Sequence, residues 1–249
     1  MPQNLRGDAD ARTVPRRIAV YPPEPAGNPG ICAVCRGPAG PGFARCYQCD
    51  GHDLLLGPDL LADAVVPISY AVKGTAFAAD LWRYKSWYAP SAAARASLLV
   101  LLLAFLRDHG GCVWRHAGMA PPGRLAVVPT GCGRPGPHPL LELTAPYLRL
   151  PVTRLVIRPG EQGRDPNPDR YESERSGRGA TVLLLDDSWV SGASAQSAAA
   201  ALKRAGARRV AVVVLGRHLD PADPLAGPLA ARLSPASYDP ARCAVHGQA

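Results

Sequence analysis

Residues 182–194 read VLLLDDSWVSGAS. The leading VLLL shows no polar alternation, as expected of a central strand in a parallel sheet. Asp186 and Asp187 end the apolar run, and a short turn then opens an Ala-rich helix over 193–205 that stops at Gly206. A second buried apolar run follows at 209–216. Strand, turn, helix and strand at this spacing make a βαβ unit, so the expected fold class is α/β with a parallel sheet flanked by helices.

In such sheets the chemistry gathers at the carboxyl ends of the strands, where Asp186, Asp187 and the turn 190–194 fall. A helix start offers unpaired N–H groups and the positive end of its dipole to an anion. The hydroxyls of Ser191 and Ser194 add donors, and Gly192 lets the backbone approach a phosphate closely. Two carboxylates just ahead of that cup suit the hydroxyls of a sugar, where Mg²⁺ is also readily held. A ribose-5-phosphate cradle is therefore expected. The competing reading is an acidic strand end that merely caps a helix; the combination with S-G-x-S argues against it.

Further toward the N-terminus, Cys32, Cys35, Cys46 and Cys49 are spaced C-x2-C-x10-C-x2-C. Two such knuckles complete a tetrahedron of thiolates around one ion. The surrounding segment holds little apolar content beyond ICAVC and FARCYQC, so ligation must supply most of its folding free energy. A structural Zn²⁺ is expected, with His52 the one substitute ligand. Seven cysteines, an odd number, and a polar N-terminus without a signal-like apolar core disfavour disulfides and point to a cytoplasmic location. Cys243-x2-His246 has the spacing of half a metal site but is read as a C-terminal tail.

The chain has 249 residues, enough for one main domain and a small appendage. Its longest apolar run, 98–106, is about half what a bilayer requires, so no membrane span is expected. Helices are expected over 74–86, 92–108 and 139–150, and short strands at 125–128 and 154–157. The stretch 158–179, rich in Gly, Pro and charge, is read as either a disordered segment or a functional lid. With 28 Lys+Arg against 20 Asp+Glu the net charge of +8 permits an anionic ligand or nucleic acid but requires neither. Lys203, Arg204, Arg208, Arg209 and Arg217 form the densest basic stretch, read as a solvated helix end. With the arginine arm (Arg6, Arg12, Arg16, Arg17) and the four-cysteine element it is also the basis for a nucleic-acid partner.

VLLLDDSWVSGAS resembles the phosphoribosyl pyrophosphate (PRPP) signature of type I phosphoribosyltransferases. A four-cysteine element ahead of it is similar to the ComF family, phosphoribosyltransferase-like proteins linked to competence for DNA uptake. The segment 70–86 and the strand at 127–129 also look like that family. The resemblance covers about residues 30–216, and with the flanking stretches five parts are expected: a disordered basic arm (1–29), a zinc ribbon (30–57), a helical linker (58–118), a phosphoribosyltransferase-like domain (119–220) and a C-terminal tail (221–249). It implies that Asp186 and Asp187 bind the ribose hydroxyls of PRPP, that Val190, Ser191, Gly192, Ala193 and Ser194 wrap its 5-phosphate, and that Thr130 and Gly131 face the pyrophosphate with Mg²⁺. The stretch 158–179 would then be the hood.

The sequence departs from the family at three places. GRPGPHPL at 133–140 stands where R-G-F-N-Q is usual, Trp189 replaces an aliphatic residue, and Val190 occupies the position of the acid that serves purine transferases as base. No His or Glu is assignable as a catalytic base. His138 and Gln162 are candidate acceptor contacts, each read as a surface residue. The expected activity is phosphoribosyl transfer to an unidentified acceptor. The alternative is a catalytically weak PRPP- or nucleotide-binding accessory protein, working with nucleic acid or the DNA-uptake machinery.

Overall fold

The computed structural model describes residues 18–130, 136–161, 163, 165–174 and 178–248. In chain order the elements are β1 (Ala19–Val20), α1 (Tyr47–Leu56), β2 (Ala64–Val72), α2 (Ala76–Arg83), α3 (Ala92–His116), β3 (Arg124–Val127), α4 (Pro139–Leu148), β4 (Leu155–Ile157) and β5 (Tyr171–Ser173). They continue with β6 (Ala180–Trp189), α5 (Ala193–Arg204), β7 (Ala207–Leu219), α6 (Ala226–Arg232), β8 (Ala236–Ser237), β9 (Arg242–Cys243) and β10 (Gly247–Gln248). Four strands form one parallel sheet in the order β2-β7-β6-β3. The expected α/β class with a parallel sheet is what the chain adopts.

Strand alternation sends side chains to two covered faces. Leu183, Leu185, Ala211 and Val213 enter one core with α2, α3 and α4. Val182, Leu184, Val210, Val212 and Val214 enter the other with α5 and the four cysteines. Helix α5 buries Ala195, Ala198, Ala199 and Ala201, whose small side chains let it lie close over the sheet. That proximity sets its N-terminus directly beyond the carboxyl end of β6.

Strand β2 lies inside the segment expected to be a helical linker, because AVVPISYAV is buried along its whole length and pairs with β7. Its Pro67 lacks a backbone donor, which an edge strand tolerates. Residues 18–29, expected within a disordered arm, are packed where described. Val20 is buried, Tyr21 N–H donates to Ser69 Oγ at 2.8 Å, and Tyr70 N–H donates to the Tyr21 carbonyl at 2.7 Å. Residues 1–17, including the four arm arginines, lie outside the described residues.

Helix α3 runs eight residues beyond the expected end at 108. It is long and apolar enough to cross a membrane by length and composition, yet Leu98, Leu101, Leu102 and Phe105 are spent in the core. The C-terminal stretch is likewise no loose tail: Tyr238, Cys243, Ala244 and Val245 are buried against the α3 face. Within 158–179 the chain forms the second strand of a β4–β5 antiparallel hairpin.

Candidate functional site

Asp186 and Asp187 are the last acids on β6, and alternation points them to opposite faces of the sheet. Asp187 turns toward α2 and α4. Tyr84 donates its hydroxyl to Asp187 Oδ2, and Lys85 Nζ lies 3.0 and 2.9 Å from its two oxygens. His138 Nε2 stands 3.8 Å from the same carboxylate. Burial alone would raise the Asp187 pKa, but Lys85, the Tyr84 hydroxyl and His138 together hold it below the ordinary value. Asp186 faces the α5 side, where the Lys85 charge and backbone hydrogen bonds at Ser188 and Asp187 only partly offset the forces that raise its pKa. Burial first, and the Asp187 charge second, push its pKa up to about 7. Two neighbouring carboxylates are thus shifted in opposite directions from their common ordinary value, which the sequence does not reveal.

His138 caps α4 by accepting the Leu140 N–H on Nδ1 at 3.0 Å. The neutral ring then carries its proton on Nε2, toward Asp187. The surface reading of His138 is overturned: its side chain is only 10% exposed. The segment GRPGPHPL therefore contributes a residue to the acidic site even though it lacks the expected motif. Thr130 and His138 both line a cleft of 880 Å³ with Val127, Leu141 and Ile157, between β3, α4 and β4. Gly131 and Gln162 lie outside the described residues.

Beyond β6 the chain turns through Val190 and Ser191 into α5. Gly192 has φ 87°, a left-handed conformation that favours glycine, and no side chain caps the helix at this position. A Cβ at Gly192 would sit 2.0 Å from Trp189 Cζ2, so glycine is required here twice over. Ser191 Oγ accepts the Ala193 N–H at 3.3 Å, and Val190 is exposed at the rim. Ser194 Oγ lies 3.3 Å from Arg170 Nη1, whose guanidinium also donates to the carbonyls of Gly163 and Asp165. Asn167 N–H donates to Ser197 Oγ at 2.8 Å. The expected hood is therefore docked on α5 through Arg170 and Asn167. Sequence reading passed over Arg170, which is one of several arginines in a loop-like stretch.

The four-cysteine element touches the same turn. Cys32, Cys35, Cys46 and Cys49 are buried, and their sulfurs all lie within 4.8 Å of one another. Cys35 Sγ and Cys46 Sγ are 3.8 Å apart, and Gly37 N–H donates to Cys35 Sγ at 3.4 Å. A tetrahedron with Zn–S bonds of about 2.3 Å has edges of about 3.8 Å, so the donor set fits zinc. Four thiolates around Zn²⁺ leave a double negative charge, and Arg36 and Arg217 are both buried beside them. Burial, the largest single effect, lowers the Arg217 pKa, but the sulfurs of Cys35, Cys46 and Cys49 together outweigh it and the net shift is upward. Arg217 Nη1 also donates to the Trp189 carbonyl at 3.1 Å, tying the cysteine knuckle to the end of β6. His52 is not a ligand here; it packs edge-on against Trp189 at 6.3 Å.

The basic stretch is less solvated than its sequence suggests. Lys203 and Arg209 both pair with Asp63, at 3.2 and 2.6 Å, and Arg204 pairs with Asp169 at 2.8 Å. With Arg217 buried, Arg208 is the member of the group left outside these contacts.

No protein family matches the chain, and no curated protein matches it. Among solved structures it is similar to the Leishmania donovani UMP synthase, at 19% identity over 61% of this chain and 33% of that one, with a TM-score of 0.31. It is also similar to the purine phosphoribosyltransferase of Pyrococcus horikoshii Ot3, at 14% identity over 49% of this chain and 90% of that one, with a TM-score of 0.27. The chain spans about a third of the length of the UMP synthase. The fold class stands on the parallel sheet β2-β7-β6-β3 itself.

Proposed function

We propose that the protein binds PRPP with Mg²⁺ and transfers the phosphoribosyl group to an unidentified acceptor, as a ComF-like protein of the cytoplasm. The observation that supports this most is the start of α5. A helix N-terminus without a side-chain cap opens behind left-handed Gly192, immediately after the strand that carries Asp186 and Asp187. Its N–H groups, Ser191, Ser194 and Arg170 would receive the 5-phosphate. Asp187 and Asp186 would orient the ribose hydroxyls from opposite sides of β6. Thr130 would face the pyrophosphate, with Gly131 as its neighbour.

Bound Mg²⁺ would supply charge neutralisation on the leaving pyrophosphate. Lys85 adds a fixed cation beside Asp187 at the same end of the sheet. The cleft lined by Thr130 and His138 would seat the acceptor and shield the reacting carbon from water. His138 presents an N–H, not a lone pair, so it would orient rather than deprotonate.

A second reading, an accessory protein that binds PRPP or a nucleotide without turnover, is favoured by the state of Asp187. Tyr84, Lys85 and His138 already engage that carboxylate, and a sugar must displace one of them. Calorimetric titration with PRPP and Mg²⁺ tests both. Binding that falls at least about tenfold in Asp187→Asn, a loss of about 1.4 kcal/mol, is expected. Unchanged affinity would sink the cradle, and pyrophosphate release in the parent separates transfer from binding alone.

A further inference from the structure

Helix α3 and the C-terminal hairpin bring together a second set of metal-ligand side chains. His109 and Cys112, three residues apart, share one face of α3. Cys243 and His246 bracket the tight turn between β9 and β10, in which Gly247 pairs with Cys243. A His109 ring nitrogen, Cys112 Sγ and Cys243 Sγ all lie within 4.8 Å of one another. His246 Nδ1 is 3.6 Å from Cys243 Sγ. Tetrahedral zinc, with bonds of about 2.3 Å to sulfur and about 2.0 Å to nitrogen, separates S and N ligands by about 3.5 Å.

Three further observations indicate a ligand. His109 is 5% exposed, and its Nε2 has no hydrogen-bond partner among the described residues. A buried ring nitrogen left unpaired costs about 1–3 kcal/mol, which a metal bond would remove. Second, Val245 N–H donates to Cys243 Sγ at 3.4 Å, the same two-residue step and distance as Gly37 N–H to Cys35 Sγ in the first cluster. Third, Arg115 Nη2 lies 3.4 Å from Cys112 Sγ, a cationic donor set against a sulfur that would carry negative charge in a metal site. A disulfide between Cys112 and Cys243 would leave the buried His109 nitrogen without a role.

We propose that His109, Cys112, Cys243 and His246 form a second zinc site, distinct from the four-cysteine cluster, which staples the C-terminal hairpin to α3. Two sulfurs and two imidazoles are the donor set of a tetrahedral structural zinc, softer than Mg²⁺ or Ca²⁺ accept. Its four ligands close the coordination shell, so the site holds structure and does no chemistry. It joins residues more than 130 positions apart, on the face opposite the first cluster.

The test is metal content of the purified full chain. About two zinc ions per chain are expected in the parent, and about one in either Cys46→Ser or the double variant Cys112→Ser/Cys243→Ser. One ion in the parent, or two in the double variant, would overturn the site. Should the double variant fail to fold, alkylation of the parent decides. Cys112 and Cys243 are expected to become reactive on chelation without reductant. Reactivity that appears only with reductant would mean a disulfide, and reactivity before either treatment would mean two free thiols. Either result refutes the proposal.

Discussion

The two faces of the central sheet each carry one cysteine-containing cluster and one of the paired acids, yet they are built by opposite means. On the α5 face the ligands lie within an 18-residue segment, Cys32 to Cys49, that has little core of its own. On the α3 face His109, Cys112 and Cys243 come within 4.8 Å of one another, with His246 beside Cys243, across a hydrophobic core that includes Phe105, Tyr238, Ala244 and Val245. A metal in the first case would replace a core; in the second it would fasten a segment that the core already holds. Each face then treats its carboxylate differently. Asp187 is surrounded by Tyr84, Lys85 and His138, whereas for Asp186 burial and the charge of its neighbour outweigh Lys85 and two backbone hydrogen bonds.

The largest expected effect breaks the first face. Cys46→Ser should remove one zinc ion and unfold the ribbon, because ligation supplies most of its free energy. Loss of the ribbon also withdraws the Cys35 sulfur from Arg217 and the His52 ring from Trp189, so the turn at 190–192 should loosen. Thermal unfolding and zinc content measure it; a parent-like melting temperature would show that the ribbon is held by something else.

Gly192→Ala comes next. It forces a left-handed backbone on a residue with a Cβ and drives that Cβ into the Trp189 ring. A cost of about 2–4 kcal/mol is expected, combining strain and overpacking. PRPP affinity should fall more than stability alone explains, since the helix start must move; equal affinity would separate the turn from the phosphate site. Cys243→Ser on the opposite face should cost less, about 1–3 kcal/mol, because Tyr238, Ala244 and Val245 keep the hairpin packed. A loss as large as that of Cys46→Ser would erase the contrast between the faces.

What the sequence disclosed follows the same division. The β6–α5–β7 unit and the four cysteines are local patterns, and both were legible at the level of single residues. Strand β2 was not, because AVVPISYAV contains a proline and its partner β7 lies far along the chain. The Cys243–His246 pair carried half of a spacing signal, and its other half sat in a helix where His109 and Cys112 look like ordinary core residues. Arg170 gave no signal, and His138, a candidate acceptor contact read as a surface residue, gave none for the acid it faces. Each owes its role to a residue that only tertiary packing brings near, Asp187 for one and Ser194 for the other.

The smallest effects sharpen the contrast between the two acids, and they have opposite signs. Asp186 has its folded-state pKa raised from 3.8 to about 7, so the folded chain holds a proton that the unfolded chain releases. The associated stability is complete below about pH 4 and is lost as pH rises through about 7. Asp186→Asn, neutral throughout, should therefore match the parent in acid and exceed it at pH 8, by about 1–3 kcal/mol. Asp187 is shifted the other way, held below 3.8 by Lys85, Tyr84 and His138 against the effect of burial. Its contribution is present at neutral pH and is lost as pH falls through its depressed pKa. Asp187→Asn should then be less stable than the parent at pH 7, with the gap closing in acid. Denaturant unfolding of both variants between pH 3 and 8 compares the slopes. Parallel slopes would mean that the two carboxylates share one environment and that β6 does not divide them between its faces.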